Sequence, residues 1–203
     1  MKKLPIHFYK RDDVVLIARE LLGKYLFTCI DGIISGGYIV EAEAYNGIID
    51  RAAHSYGGRL TPRTKTMFEA GGIAYVYLCY GIHEMFNIVV STESDPRAVL
   101  IRAVHPTEGI EAMLYRRNML AVKSNITAGP GSVAQAFGID RKLNGISLQS
   151  DMLWLEDRGL TFIDEQVAAV PRVGVAYAKE DALLPYRFFV EGDIYVSKPN
   201  KVK

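Results

Sequence analysis

The chain has 203 residues, 49% of them hydrophobic, and a formal net charge of +1. That length suits a single domain spanning residues 1–203, able to bury a core without covalent staples. Two cysteines, Cys29 and Cys79, in apolar strand-like contexts exclude a disulfide framework and read as buried free thiols. Four scattered histidines without C-x-x-C or H-E-x-x-H spacing give no metal motif, and nothing in the pattern implies a cofactor. No apolar run approaches the roughly 20 residues of a membrane helix. The opening MKKLPIHFYKRDDVV lacks the apolar stretch of a secretion signal. The expected location is cytoplasmic, nucleoid-associated in a bacterium or nuclear in a eukaryote, and not secreted. Charge is uneven: residues 51–125 carry nine Lys and Arg against six Asp and Glu, and each flank is −1. Arg59, Arg63, Lys65, Arg116, Arg117 and Lys123 fall in or beside that basic third, where a phosphate backbone would be bound.

The first predicted element is a helix capped by Asp12 or Asp13, with Val14, Ile17, Ala18, Leu21 and Leu22 at helical spacing and Gly23 as its stop. Short strand-like runs follow: KYLFTCI, GYIVEAEAY, IAYVYLCY, EMFNIVVS and AVLIRAV, separated by Gly-rich links such as DGIISGG and GIH. Strands joined by short links indicate antiparallel pairing. A second helix is predicted from Thr107 to about Asn118, with Thr107 as cap after Pro106. A short helix follows Gly129-Pro130-Gly131. LWLED, RVGVAYA, YRFFVEG and IYVSK are strand candidates in the last third. The longest irregular stretch, Asn46 to about Lys65, is long enough to suggest a functional loop.

Four constellations carry chemistry. In YIVEAEAYNG, strand alternation puts Ile39, Glu41, Glu43 and Tyr45 on one face, and Tyr38, Val40, Ala42 and Ala44 on a core face. Glu41 and Glu43 then stand about 7 Å apart. Such a pair serves either a wet edge strand or general acid–base work. The loop AAHSYGGRLTPRTKTMF holds His54 with the cations Arg59, Arg63 and Lys65, a pattern of a polar surface loop or of a phosphate contact. In IAYVYLCYGIHEMFNIVV, Tyr75, Tyr77 and Cys79 share one strand face, which on its own is the pattern of an ordinary tyrosine-rich strand, while Tyr80 and Ile82 sit at an apolar hairpin tip next to basic loops, of the kind that wedges into a duplex. Asn87 interrupts an apolar strand there, and a buried amide needs polar partners. Arg102 interrupts AVLIRAVHP in the same way and calls for a carboxylate or phosphate partner, with Glu41 and Glu43 as candidates.

The run VEAEAYNGIIDRAAHSYGGRLTPRTKTMFEAGGIAYVYLCYGIHEMFNI, with LIRAVHP, the GPG before a short helix, and RVGVAYA…PYRFFVEG, resembles the alkyladenine (3-methyladenine) DNA glycosylases of the mammalian type. The likeness extends from about residue 14 to residue 198. It implies a single mixed α/β domain, with a curved, largely antiparallel sheet flanked by helices, similar to the C-terminal domain of the formyltransferases that act on charged tRNA. It implies a monomer that needs no metal or cofactor and binds double-stranded DNA containing damaged purines. The second acid of E-x-E-A-Y, Glu43, would be the general base. Arg102 and the main-chain carbonyl of Val173 would help hold the water beside it. Tyr45 and Tyr77 would sandwich the flipped base, with His54 at the pocket edge and Asn87 screening bases by shape. Tyr80 would be the minor-groove wedge, supported by Ile82. Arg59, Arg63 and Lys65 remain phosphate-binding candidates. The expected reaction is hydrolysis of the N-glycosidic bond of an alkylated or deaminated purine (3-methyladenine, 7-methylguanine, hypoxanthine, ethenoadenine), leaving an abasic site without strand cleavage.

The sequence departs from that family at Ser132, where many members carry a basic residue, and in GIHEMF, where His83 and Glu84 are less familiar. Two other readings compete. A carbohydrate hydrolase would use both acids, but the single Trp154 and the basic loop speak against sugar platforms. A non-catalytic nucleic-acid-binding module of the same fold would not need the intact E-x-E-A-Y with Arg102. Glu41 has no catalytic role in this scheme and is expected to be a structural acid near the site, shaping the local field or pairing with a basic residue.

Overall fold

The computed structural model describes residues 2–198, so the ends of the expected 1–203 domain, residues 1 and 199–203, lie outside the described residues. Two short helices open the chain, α1 (Ile6–Tyr9) and α2 (Val14–Glu20). Asp13 caps α2 by accepting a hydrogen bond from the Leu16 N–H at 2.9 Å. The strands β1 (Tyr25–Ile30), β2 (Ile33–Tyr45), β3 (Ala74–Cys79), β4 (His83–Val90) and β5 (Arg97–Glu108) follow. Next come α3 (Ile110–Arg116), α4 (Pro130–Phe137), β6 (Leu153–Glu156), β7 (Val167–Val170) and β8 (Arg187–Val190). All eight strands join one curled antiparallel sheet in the order β3-β4-β5-β2-β1-β6, with β8 pairing both β2 and β7. The mixed α/β class and curved antiparallel sheet are as expected.

Alternation along the strands divides the molecule. Ile88, Val90, Val99, Ile101, Ala42 and Ala44 belong to the main core, against which α2 and α4 pack. Their neighbours Val89 and Ala98 face the other way, into a small cluster with Met67 and Tyr75. On that second face the register lines up Tyr75, Asn87, Leu100, Glu43 and Arg187 as directly opposed residues across β3, β4, β5, β2 and β8. Directly opposed residues share a face, so a tyrosine, an amide, a carboxylate and a guanidinium come from separate parts of the chain into one row. The loop after β2 and the segment before β8 fold over this row.

The register between β2 and β5 shifts between Ile39 and Glu41 and again between Glu41 and Ala42. An extra residue on one strand breaks the two-residue period. Ile39 therefore joins Val40, Ala42 and Ala44 in the core instead of standing beside Glu41. The extra residue on β5 at this point is Arg102, which aims its side chain at the acids.

Several local expectations are corrected. The helix expected from Thr107 starts at Ile110, because β5 continues through Pro106 and Thr107. A further register shift between Gly36 and Gly37 accommodates the proline at a bulge. DGIISGG is a turn only at Asp31-Gly32, and the remainder belongs to β2. A Cβ on Gly36 would collide with the Phe27 ring, which explains glycine within that strand. RVGVAYA is not a strand: it ends in 3₁₀ turns from Ala176, with Lys179 at φ +54°. IYVSK is irregular, while the strand β7 had no expectation. Both cysteines are free, but half-buried instead of buried. No helix among the described residues is long and apolar enough to cross a membrane.

Candidate active site

Glu41 and Glu43 are both fully buried and hold different partners. Glu41 Oε1 accepts hydrogen bonds from Arg102 Nε at 2.7 Å, Arg187 Nε at 2.7 Å and the Ser197 hydroxyl at 2.9 Å. Its Oε2 accepts from the Ser197 N–H at 2.8 Å. Glu43 Oε1 accepts from the Val173 N–H at 2.8 Å and lies 3.3 Å from Arg102 Nη1. Glu43 Oε2 accepts from the Tyr45 hydroxyl at 2.9 Å. Arg102 thus bridges the two carboxylates. Val173 reaches Glu43 through its N–H, a contact the sequence reading, which looked to its carbonyl, did not include.

Tyr45 connects Glu43 to a cavity of about 50 Å³, room for a few waters. Tyr45, Tyr77, His54 and Tyr177 form its walls, and Met67, Asn87 and Ala98 line it further. Burial, followed by the Glu43 charge, holds the Tyr45 hydroxyl well above its ordinary pKa, so it stays a proton donor to Glu43. Arg172 lies with its guanidinium carbon 4.9 Å from the Tyr45 ring centre and is clamped to Asp50 by hydrogen bonds of 2.5 and 2.9 Å.

His54 Nδ1 lies 3.0 Å from the Tyr75 hydroxyl, and its ring meets Tyr77 edge-on with centres 4.7 Å apart. Burial, aided by the nearby Arg63 charge, lowers its pKa to about 4, so the imidazole is neutral at physiological pH. Burial pushes Tyr75 up to about 12 and Tyr77 higher still. Asn87 is buried and donates from Nδ2 to the Tyr75 carbonyl at 3.2 Å, leaving its amide beside the cavity.

The β3–β4 hairpin carries the expected wedge residues. Tyr80 is 90% exposed and Ile82 72% exposed. Tyr80 and Gly81 take φ of +50° and +75°, the backbone of a tight hairpin turn closed by Ile82 N–H to the Cys79 carbonyl at 3.1 Å. A tyrosine in the left-handed region is unfavourable on local grounds. The turn therefore spends conformational preference to project an aromatic ring into solvent.

The basic candidates do not converge on one point. Arg59 and Arg63 line a surface groove of about 470 Å³ that shares His54 and Tyr177 with the cavity. Arg63 lies over the Tyr77 ring at 4.6 Å from its centre. Lys65 is exposed at the start of a 3₁₀ turn, Lys65–Phe68. Ser132 is half-buried in the first turn of α4.

Sequence reasoning missed Arg187, Arg172 with Asp50, and Tyr177. Arg187 had a signal: it opens the apolar strand RFFV as Arg102 interrupts β5. Arg172 and Tyr177 had none, since their contacts depend on how the segment before β8 returns over β2.

The chain is similar to known proteins along nearly its whole length. The family model for methylpurine-DNA glycosylase (MPG) matches residues 7–194. A Bacillus cereus protein named "Putative 3-methyladenine DNA glycosylase" is 45% identical over 205 residues, covering 96% of this chain and 98% of its own. Proteins of the same name from Bacillus mycoides and Bacillus thuringiensis are each 44% identical over 202 residues, with the same coverage.

Proposed function

The chain belongs to the methylpurine-DNA glycosylase family, a DNA glycosylase hydrolysing N-glycosyl bonds, and we propose that it releases alkylated and deaminated purines from duplex DNA as a monofunctional enzyme. The substrates are 3-methyladenine, 7-methylguanine, hypoxanthine and ethenoadenine, and the product is an abasic site. The observation that carries the reading is the link from Glu43 through the Tyr45 hydroxyl to an aromatic-walled cavity, beside a hairpin that projects Tyr80 into solvent.

A base stacked in a duplex cannot be reached, so the nucleotide must rotate out. Tyr80, supported by Ile82, fills the gap and offsets the lost stacking. The base enters between Tyr45 and Tyr77, and its edge is read by His54 and Asn87. A neutral His54 can donate and accept hydrogen bonds at once, which suits neutral purine edges. The cavity must widen to accept a purine, and exposed Tyr177, which lines both the cavity and the outer groove, would give up its hydroxyl's 3.1 Å hydrogen bond to the Ala52 carbonyl to move aside.

Cleavage builds positive charge on the sugar. An anionic Glu43 stabilises that charge and takes a proton from the attacking water. Arg102 orients the carboxylate and the water. Among the described residues no lysine lines the cavity, which supports simple hydrolysis over a covalent amine route. Arg59 and Arg63, which line the groove beside the cavity, and the exposed Lys65 are the proposed contacts for backbone phosphates.

The test is incubation with duplexes carrying one such lesion, followed by alkali to cut abasic sites. Lesion-dependent, alkali-revealed cleavage is expected. No cleavage with any of the four lesions, at protein in excess over DNA, would overturn the proposal and favour a binding module.

A further inference from the structure

Two of the aromatic walls of the cavity, Tyr45 and Tyr77, carry an arginine each, and the two arginines differ in charge balance. Arg172, over Tyr45, is neutralised in place by its double hydrogen bond to Asp50. Arg63, over Tyr77, has no carboxylate within ion-pair distance among the described residues. Its charge is felt inside: it adds to burial in depressing His54 and acts against burial on Tyr75.

An aromatic face attracts a cation through its quadrupole. On Tyr77 that attraction is already engaged by the protein's own guanidinium. A purine methylated on a ring nitrogen is itself cationic. It would meet a polarised ring and a like charge nearby, whereas a neutral purine such as hypoxanthine meets only the ring.

We propose that Arg63 is a specificity-determining residue that weights this pocket towards neutral damaged purines and against cationic ones. The inference rests on the reading of the cavity as the base pocket. It differs from a phosphate contact in one respect. A phosphate contact is common to every substrate and scales all lesions alike, while a charge beside the stacking ring separates them by charge.

The experiment is single-turnover excision from one duplex sequence holding either 7-methylguanine or hypoxanthine, with wild type, Arg63→Gln and Arg63→Lys. Arg63 is exposed, and equal melting temperatures confirm that the variants fold. Arg63→Gln is expected to raise the ratio of 7-methylguanine to hypoxanthine excision by about 2- to 5-fold, the size of one exposed cation–π contact. Arg63→Lys keeps the charge and should keep the ratio near wild type. If both rates fall together in Arg63→Gln with an unmoved ratio and a shallower salt dependence, Arg63 is a phosphate contact only and the inference is wrong. Wild-type protein that releases neither base overturns the functional reading itself, a different outcome from active enzyme with an unmoved ratio.

Discussion

Glu41 and Glu43 lie two residues apart on β2, are equally buried and share Arg102, yet their oxygens are used differently. A carboxylate has about four acceptor sites. Glu41 fills them with two guanidinium N–H groups, the Ser197 hydroxyl and the Ser197 N–H. Glu43 accepts from the Val173 N–H and the Tyr45 hydroxyl, with Arg102 Nη1 farther off at 3.3 Å. Burial and an arginine partner therefore do not separate the proposed general base from its neighbour. The spare acceptor capacity of Glu43 is the observable difference. Glu41 holds β2, β5, β8 and the chain beyond β8 together, while Glu43 keeps acceptor capacity and is joined to the cavity through the Tyr45 hydroxyl.

Removing Glu41 should produce the largest effect of any single change in the pair. Glu41→Ala leaves Arg102 and Arg187 buried without their shared counter-charge, and breaking a buried ion pair costs about 3–5 kcal/mol. Urea unfolding should show that loss, and excision should fall with it because Arg102 loses its anchor. A stable Glu41→Ala protein with full activity would erase the contrast between the two acids.

Glu43→Gln tests the other side of the contrast. Removing a general base lowers the rate by roughly 10²- to 10⁴-fold. The amide keeps an oxygen for one donor, so the melting temperature should move far less than in Glu41→Ala, and affinity for abasic-site DNA should persist. Rate loss with little stability loss at Glu43, and a large stability loss that carries the rate down with it at Glu41, is the expected pattern. Wild-type turnover in Glu43→Gln would remove Glu43 from the proposed mechanism.

Much of this pair was readable from residues alone, and the unreadable part has a physical cause. Alternation in YIVEAEAY, with Arg102 inside an apolar strand, was enough to bring Glu41, Glu43 and Arg102 together. The resemblance to a glycosylase family, and not the spacing, separated the two acids. The bulge that moves Ile39 into the core is invisible to a two-residue period, because the period is what it breaks. Pro106-Thr107 mimics a helix start, yet the pairing of Gly37 with Pro106 keeps it in β5. RVGVAYA alternates like a strand, but Val173 donates its N–H to a side chain 130 residues away, so no ladder forms there. Ser197 reaches Glu41 across 156 residues. Contacts of that span depend on how the sheet curls, which local pattern does not encode.

The burial of His54 at the edge of the cavity can be measured through its titration. Its folded pKa of about 4 lies below the ordinary 6.5, chiefly through burial. Above pH 6.5 the ring is neutral in both folded and unfolded chains, and its contribution to stability is fully retained. Between 6.5 and 4 the unfolded chain binds a proton that the folded one does not, so stability falls as pH falls. Below about 4 both states are protonated and the loss levels off. At 1.36 kcal/mol per pH unit the loss is at most about 3 kcal/mol, and less for a half-buried ring. His54→Gln should flatten that window relative to wild type. Parallel stability curves for the two proteins would mean that the His54 ring is hydrated.

Tyr45→Phe makes the smallest change and addresses the contrast most directly. The ring face that lines the cavity remains, and only the hydroxyl that donates to Glu43 Oε2 is lost. A hydrogen bond to a charged group contributes about 1.5–3 kcal/mol, and the Val173 N–H and Arg102 stay to hold the carboxylate. The expected stability loss is near the lower end of that range. Because the freed oxygen gains capacity for water, excision should change by less than about tenfold, far below the effect of a lost general base. If Tyr45→Phe matches Glu43→Gln in rate, the hydroxyl takes part in proton movement, and the spare capacity assigned to Glu43 belongs to the Tyr45–Glu43 pair.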